Sequence, residues 1–318
     1  MSREIAFIDA LRRLASHPAA RALADDAAVL EVSGTNLVLT HDMIVEGVHF
    51  LSADPPEDVA WKLLAVNLSD LAAKGAEPVG VLLGYSLGDG EWDSAFVRGL
   101  GEATAAFGAP LLGGDTVAAP PGAPRSLGLT AIGQAERDVP SRSGASAGDL
   151  LWVSGAIGDA GAGLRTALGE LQGSPALVAA YRRPQPRLQL GKALAPLVSA
   201  MMDVSDGLLI DAARMADASG LACRIELRDV PLSPDLIQAS GEDRQARIDA
   251  SIAGDDYELL FAAPPHRTDE IIALSTSLSV PLTQIGLFSP GSGLAVTDAG
   301  EPLPLPPRLG YEHHATIV

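Results

Sequence analysis

The alternation of apolar and polar positions divides the first half of this chain into helices and short strands. Apolar residues recur at helical spacing over residues 4–15, 57–74 and 91–107, which predicts three helices. Short apolar runs bounded by glycine, proline or polar residues predict strands. These runs cover residues 27–32, 37–40, 79–87, 111–112 and 127–134. Because a polar turn separates the first two runs, they are expected to form a β-hairpin with acids at the strand ends.

The second half repeats the mixture of strands and helices. Strands are predicted at 150–155, 222–227, 281–288 and 293–297, and helices at 175–182, 187–197 and 268–277. The segment between 228 and 252 is expected to be irregular. A polar stretch rich in small residues, 140–148, separates the halves. The pattern predicts an α/β (α+β) protein with an N-terminal domain over 1–140 and a C-terminal domain over 146–318.

Composition and charge narrow the class of protein. The chain has 318 residues, 47% of them hydrophobic and 19% charged, which is typical of a folded protein. The formal net charge of −18 argues against nonspecific binding to nucleic acid or to an anionic membrane. The single cysteine, Cys223, excludes an internal disulfide and is expected to be buried. No signal peptide and no membrane-spanning run is apparent, so the cytoplasm is the expected compartment.

The stretch 201–209 shows the most informative local pattern, a predicted strand followed by an acidic turn and a predicted helix. Asp203 and Asp206 are three residues apart in this turn. At about 5 Å and an effective dielectric constant of about 20, two carboxylates repel each other by about 3 kcal/mol. Either one acid is protonated or a cation lies between them. The alternative is that Ser205 or Asp206 only caps the helix.

Acids recur beside other predicted strands and on one predicted helix. In the helix 57–74, Asn67, Asp70 and Lys74 form a narrow polar stripe, in which Asp70 either pairs with Lys74 or faces a metal or phosphate cluster. Asp115 follows two glycines, which allow a close backbone approach or form a plain turn. The candidate metal ligands are Asp26, Asp42, Asp70, Asp115, Asp203 and Asp206, and all six are expected to converge in space.

The chemistry of these side chains favours magnesium. Hard carboxylate oxygens suit Mg²⁺, whereas histidine and cysteine are too sparse to favour zinc or copper. Several Mg²⁺ ions beside a phosphate chain suit phosphoryl transfer, in which charge neutralisation and positioning supply most of the catalysis. The sequence contains neither a G-x-x-x-x-G-K-[ST] loop nor an H-R-D motif. An ATP enzyme with this sequence would therefore have a different fold from P-loop proteins and protein kinases.

In order and spacing, these motifs resemble those of the thiamine-monophosphate kinase family, which shares a superfamily with aminoimidazole ribonucleotide synthetase and selenophosphate synthetase. The resemblance runs nearly end to end. It is carried by residues 25–28, 40–42, 47–50, 65–72, 113–116, 142–144, 203–207 and 254–259. It implies an aminoimidazole ribonucleotide synthetase-like fold, with an N-terminal mixed sheet that pairs across a homodimer and a C-terminal α/β sandwich. The implied reaction is direct, Mg²⁺-assisted transfer of the ATP γ-phosphoryl group to thiamine phosphate, without a phosphoenzyme.

The resemblance also assigns individual residues. The implied metal ligands are Asp26, Thr40, His41, Asp42, Asp70, Asp115, Asp203 and Asp206, with the backbone carbonyl of His41 as its donor. The implied ATP site contains Gly114, Asp115, Arg142 and Ser205, and the implied thiamine phosphate site contains His49, Asp255 and Tyr311. Several Mg²⁺ ions are implied, ATP is the co-substrate, and a K⁺ ion is compatible with the pattern. The sequence departs from the family at residues 22–24, which replace a glycine-rich lead, and at Asp255, where the family often has glutamate.

Two alternatives stay open at this stage. One is a sibling ATP enzyme, although selenophosphate synthetases carry an essential cysteine or selenocysteine near the N-terminus and hydrogenase-maturation relatives end in a reactive cysteine. This sequence has neither, and it ends in Thr316-Ile317-Val318. The other is a non-catalytic protein that binds a nucleotide or thiamine phosphate. The number of clustered acids argues against that alternative, because a binding protein does not need so many like charges around a phosphate.

Overall fold

A five-stranded mixed sheet forms the N-terminal part of the computed structural model, which describes residues 3–120, 122–136 and 139–312. The strand order is β1-β2-β5-β3-β4. The strands are β1 (Ala28–Val32), β2 (Thr35–Val45), β3 (Glu77–Leu87), β4 (Leu111–Ala118) and β5 (Ser126–Ala135). The helices are α1 (Arg3–Arg12), α2 (Pro56–Ala73) and α3 (Gly90–Phe107), with a short 3-10 helix at Pro18–Leu23. All neighbouring strands pair antiparallel except β3 and β4, which are parallel.

The C-terminal part contains a seven-stranded sheet in the order β12-β11-β8-β10-β6-β9-β7. Its strands are β6 (Leu150–Ser154), β7 (Ala200–Val204), β8 (Ala222–Glu226), β9 (Glu258–Ala263), β10 (Leu282–Ser289), β11 (Gly293–Asp298) and β12 (Glu301–Leu303). Its α-helices are α4 (Asp159–Ala167), α5 (Pro175–Arg182), α6 (Leu188–Leu194), α7 (Leu208–Ser219), α8 (Pro234–Ser240), α9 (Arg244–Ser251) and α10 (Thr268–Leu278). Two 3-10 helices lie at Leu227–Asp229 and Pro265–Arg267.

Helix α2 joins the two parts of the molecule. It packs on β2 and β5 of the first sheet and also on α6 and β7 of the second part. Most of its residues are buried, including Lys62, Asn67 and Asp70, and Lys74, which directly follows its last residue, is buried too. A helix that is apolar over most of its circumference is typical of a protein core. The few polar groups on such a helix need partners, because an unpaired buried polar group destabilises the fold.

We expect Gly191→Ala to destabilise the contact between α2 and α6. A Cβ atom at Gly191 would lie 1.9 Å from the carbonyl oxygen of Ala72, so the two helices would have to separate. Overpacking of this kind typically lowers the free energy of unfolding by about 1–3 kcal/mol. Gly101→Ala on α3 is the matched control, because nothing lies within 4 Å of its added Cβ. Chemical denaturation should show a lower free energy of unfolding only for Gly191→Ala. Equal free energies of unfolding for the two variants would contradict the close contact between α2 and α6.

Most predicted elements are present, with differences in the bounds of several elements and in one segment. The β1–β2 hairpin is confirmed, the helix predicted at 175–182 is α5, and Cys223 is buried without a disulfide. The expectation that Asp42 follows a strand is wrong, because β2 continues to Val45 and pairs with β5 along its length. The segment 228–252 is not irregular, since Ser233 caps α8 and Asp243 caps α9. Finally, α1 ends at Arg12 instead of residue 15.

In the described chain no helix is both long and apolar enough to cross a bilayer.

Candidate active site

Helix α2 places polar side chains against acids from both parts of the chain. The Asp70 carboxylate is buried and accepts a hydrogen bond from the Thr40 hydroxyl on β2. The hydroxyl of Ser69, one residue earlier on α2, donates a hydrogen bond to Asp203 Oδ2 at 2.6 Å. Asp203 lies near the end of β7. The Asn67 side-chain oxygen accepts from the backbone N–H of Asp42 at 2.9 Å. A single helix therefore gathers carboxylates from both sheets.

These carboxylates repel one another. Burial is the largest cause that raises the pKa of Asp70 well above its usual value, and the charges of Asp42, Asp203 and Asp26 raise it further. The pKa of Asp203 is also raised well above its usual value, first by burial and then by Asp26. Burial likewise raises the pKa of Asp42, an effect to which Asp26 and Asp206 add. Such a group of acids is stable either with protons on some of them or with a cation between them.

Three basic side chains, Lys74, Arg142 and Arg21, neutralise the acid pair that precedes β1. Lys74 Nζ is completely buried and lies 2.5 Å from Asp25 Oδ1 and 2.7 Å from Asp26 Oδ2. The Arg142 guanidinium forms an ion pair with Asp26. Burial, the largest single cause, disfavours the charged form of Asp25, but the ion pairs with Lys74 and Arg21 together outweigh it and lower the pKa to about 2. The alternative pairing of Lys74 with Asp70 is therefore wrong, because the loop before β1 presents both of its acids to this ammonium group.

The donor set fits a hard divalent cation, although no metal site is preformed. Asp26 Oδ2 is buried and accepts no hydrogen bond, even though Lys74 Nζ is nearby. Among residues 3–120, 122–136 and 139–312, no three Asp, Glu, His or Cys side chains are arranged to hold a metal ion. The oxygens of Asp42, Asp70 and Asp203 are nevertheless of the type that Mg²⁺ prefers. Their raised pKa values show that a positive charge among them would be stabilised.

A cavity of about 320 Å³ adjoins these acids. Asp42 and Asp206 line it at one side, and His49, Asp255 and Tyr311 line it as well. The C-terminal segment reaches the cavity because the backbone N–H of Tyr311 donates to the carbonyl of Asp206 at 2.8 Å. The three residues assigned to the acceptor substrate therefore share one cavity with two of the proposed metal ligands.

The turn around Asp206 is not explained by helix capping. The first residue flanking α7 is Gly207, and no side chain caps the helix there. Asp211 instead accepts hydrogen bonds from the backbone N–H groups of Asp206 and Gly207, both at 3.1 Å. Arg214 pairs with Asp206 at 2.5 Å. The capping alternative is therefore wrong, and the Asp206 side chain remains beside the cavity, where Ser205 also lies.

Comparison with known proteins places the chain in a family. Residues 24–135 match the family model "AIR synthase related protein, N-terminal domain", and residues 146–299 match the corresponding C-terminal domain. A thiamine-monophosphate kinase from Caulobacter vibrioides is 41% identical over 305 residues, covering 93% of this chain and 86% of that protein. The enzyme of the same name from Escherichia coli K12 is 36% identical, covering 92% of each chain. The chain belongs to the thiamine-monophosphate kinase family.

Solved structures agree with the thiamine-monophosphate kinase fold. "AaThiL complexed with AMPPCP and TMP" superposes with a TM-score of 0.84 at 30% identity, covering 97% of both chains. The thiamine-monophosphate kinase of Stenotrophomonas maltophilia K279a superposes with a TM-score of 0.77 at 38% identity, covering 93% of this chain and 96% of that one. The predicted family and the two-domain fold are therefore confirmed.

Two of the residues that the family resemblance singled out lie apart from the acid cluster. Gly114 and Asp115 are on β4, an exposed edge strand, and not in a plain turn. Gly114 adopts a φ of +152°, and a Cβ there would lie 2.0 Å from the carbonyl oxygen of Leu83. The register aligns Gly114 with Asp42 three strands away, at roughly 14 Å for the usual strand spacing. Within one chain, the expected convergence of all six aspartates is therefore wrong for Asp115.

His41 also points away from the acids. Its side chain is exposed and its Nδ1 lies 2.9 Å from the hydroxyl of Thr130 on β5. The Thr40 hydroxyl and the backbone N–H of Asp42, one residue to either side, contact α2. Alternation along the strand directs the His41 ring to the face opposite the Thr40 side chain. If His41 contributes to a metal site, its backbone carbonyl remains the candidate donor.

Sequence reasoning missed the basic side chains that hold the site together. Lys62 lies 2.6 Å from Asp255, and Arg214 pairs with Asp206. Lys62 could have been identified from the sequence, because it is a lysine within a largely apolar helix. The ion pair of Arg214 with Asp206 depends on the path of the turn before α7, so the sequence spacing alone does not predict it.

Proposed function

We propose that this protein transfers the γ-phosphoryl group of ATP to the phosphate of thiamine phosphate, which yields ADP and thiamine diphosphate. The observation that supports the proposal is the placement of the buried Asp70 and Asp203 and the half-buried Asp42, which come from both domains, beside a cavity lined by His49 and Tyr311. Bound Mg²⁺ would neutralise the charge that develops between donor and acceptor phosphates. The names of the family members support the same reaction.

The described residues suggest separate roles for the acids and the cavity. We assign Asp26, Asp42, Asp70, Asp203 and Asp206 to Mg²⁺, with the Thr40 hydroxyl and the His41 carbonyl beside them. Arg142 and Ser205 would contact the ATP phosphates, since a guanidinium group can bind phosphate oxygens in pairs. His49, Asp255 and Tyr311 would hold thiamine phosphate. A K⁺ ion remains compatible with this donor set, and we propose no covalent nucleophile.

A direct assay tests the proposed reaction. The purified protein is incubated with ATP, Mg²⁺ and thiamine phosphate, and thiamine diphosphate is separated chromatographically and quantified. Product that depends on all three additions is the expected result. Saturable binding of both ligands without any product would instead indicate a non-catalytic binding protein. Turnover of ATP with another acceptor, but not with thiamine phosphate, would indicate a sibling enzyme of the superfamily.

Replacing Tyr311 should affect thiamine phosphate more than ATP. The ring is 44% exposed at the cavity and is well placed to lie against a flat heterocycle. We expect Tyr311→Ala to raise the KM for thiamine phosphate by about tenfold, equivalent to about 1.4 kcal/mol, while the KM for ATP changes little. Tyr311→Phe keeps the ring and is the control. Equal changes in the two KM values would place Tyr311 outside the acceptor site.

We further propose a homodimer formed through β4. All eight residues of this edge strand are exposed, and its Leu111, Leu112 and Val117 side chains are each more than half exposed. A long apolar edge strand invites pairing with another strand. Sedimentation should give twice the 32.7 kDa chain mass for the wild type and the single-chain mass for Val117→Lys. Two copies of β4 in contact would also bring Asp115 of each chain to the interface.

The remaining expectations follow from the same assignment. We retain domain limits of 1–140 and 146–318, which agree with the separation of the two sheets. We also infer a cytoplasmic location, where ATP and Mg²⁺ are available. Neither inference affects the site residues named above.

A further inference from the structure

Lys62 is a buried cation that the proposed metal and substrate sites leave without a role. Its side chain is only 2% exposed, near the middle of α2. The Nζ atom lies 2.9 Å from the carbonyl oxygen of His49, 2.6 Å from Asp255 Oδ2 and 4.2 Å from the centre of the Tyr181 ring. A buried ammonium group is stable only with such partners. Here the partners come from the loop after β2, the loop before β9 and helix α5.

The loop before β9 has an unusual backbone at the residues that line the cavity. Asp255 and Tyr257 adopt φ values of +67° and +52°, which is uncommon for residues other than glycine. Such conformations persist where the surroundings determine them. The Asp255 backbone N–H donates to the Ser205 carbonyl at 2.7 Å, and the Tyr257 hydroxyl donates to Asp255 Oδ1 at 2.9 Å. With Lys62 on Oδ2, both carboxylate oxygens have donors and the orientation of the group is fixed.

Lys62 also contacts the loop after β2. Its carbonyl at His49 accepts from Lys62, while His49 Nδ1 accepts from the backbone N–H of Val45 at 3.0 Å. In the neutral imidazole the proton is therefore on Nε2. Both the backbone and the ring orientation of His49 are thus determined, and Lys62 is the side chain that connects them to Asp255.

We propose that Lys62 is a positioning residue for the acceptor substrate and that it sets the affinity for thiamine phosphate. It holds His49 from the N-terminal domain and Asp255 from the C-terminal domain at a fixed separation across one cavity. This inference rests on the proposed function. Its contacts to His49, Asp255 and Tyr181 do not involve Asp26, Asp42, Asp70 or Asp203, so binding of ATP with Mg²⁺ should be largely independent of it. A role limited to packing would instead affect stability and both ligands alike.

Calorimetric titration of the full-length protein with each ligand alone, in the presence of Mg²⁺, tests the proposal. Lys62→Met should weaken binding of thiamine phosphate by about tenfold or more, because a hydrogen-bonded charge is lost from Asp255. Binding of a non-hydrolysable ATP analogue should stay within about twofold. Lys62→Arg, which keeps a cation, should recover part of the loss. If Lys62→Met does not fold, the binding of the two ligands is compared in Lys62→Gln instead. Equal losses for both ligands, or unchanged binding of thiamine phosphate, would overturn the proposal.

A double-mutant cycle separates positioning from independent effects. In the Asp255→Asn background, Lys62→Met should have a much smaller effect on thiamine phosphate affinity than in the wild type, because the two side chains act as one unit. Additive effects would contradict the proposal. Tyr181→Phe is the control, since it removes the hydroxyl bonded to Asp54 but keeps the ring beneath Lys62. A wild type that does not bind thiamine phosphate would instead refute the proposed function.

Discussion

Asp203→Asn is expected to reduce kcat by about a thousandfold while the metal-free protein becomes no less stable. The variant removes one charge from the proposed magnesium site, and loss of a single preorganised electrostatic group typically costs a hundred- to a thousandfold in rate. The fold should tolerate the change because asparagine has the same shape and Ser69 can still donate to its oxygen. Asp70→Asn should behave in the same way, since its pKa is raised by the same neighbours.

Steady-state kinetics and denaturant unfolding in a chelating buffer check both parts of this result. Ser69→Ala is the matched control, because it removes the hydrogen bond to Asp203 and leaves the carboxylate. That control should lose far less activity than Asp203→Asn. Kinetics close to the wild type for Asp203→Asn or Asp70→Asn would refute the metal role of the residue concerned.

The raised pKa values of the same acids predict how the free energy of unfolding depends on pH. The folded-state pKa of Asp203 and Asp70 lies well above the ordinary value of 3.8, so the native state binds protons more tightly than the unfolded state. The free energy of unfolding of the metal-free protein should therefore decrease as pH rises from about 4 through the raised values. Adding Mg²⁺ at the higher pH should restore stability, because a cation replaces the lost protons. The two asparagine variants should each show a weaker pH dependence than the wild type.

Lys74→Met is expected to cause the largest loss of stability, about 3–5 kcal/mol in the free energy of unfolding. The substitution leaves the buried carboxylates of Asp25 and Asp26 without their shared ammonium group. Arg21 would still contact Asp25 and Arg142 would still contact Asp26, but neither replaces a cation that lies between the two acids. Urea denaturation at neutral pH measures the effect.

Removing one acid should rescue much of this loss. The double variant Lys74→Met with Asp25→Asn leaves one fewer unpaired buried charge and should be more stable than Lys74→Met alone. In the wild type the pKa of Asp25 is lowered to about 2, so its contribution is present above pH 3.8 and disappears as pH falls towards 2. Lys74→Met should lack this acid-sensitive contribution. A loss of stability below about 1 kcal/mol at neutral pH would contradict the importance of this ion pair.

Local patterns in the sequence identify elements whose residues face a core, but they do not fix which polar groups meet. The largely apolar character of α2 made both the helix and the unusual position of Asp70 predictable. The partner of Lys74 was not predictable, because Asp25 is 49 positions away along the chain and approaches only through the path of the loop before β1. A contact of that kind depends on tertiary geometry and not on spacing.

Polar residues within strands and short capped helices were the other source of error. The sequence places Thr40 and Asp42 at the end of a strand, yet backbone pairing with β5 keeps them inside β2. Helix α2 supplies the partners of the Thr40 hydroxyl and of the Asp42 backbone N–H. The position of Asp115 was likewise misjudged, because a motif indicates a residue's type and not which strand of the sheet carries it relative to the other acids. Helices α8 and α9, of seven and eight residues, carry too few turns for a clear periodic signal.

The shared role of α2 has a consequence for recombining this enzyme with its relatives. The Lys74 ammonium also contacts the carbonyl of Met201 at 3.2 Å, and the Ser69 hydroxyl donates a hydrogen bond to Asp203. Two residues of β7 are therefore matched to the C-terminal end of a helix from the other half. A chimera that takes residues 1–140 from one homologue and the rest from another would inherit a helix and a strand that were never selected together. Exchange of α2 and β7 as a matched pair should preserve folding and turnover better than exchange of either half alone.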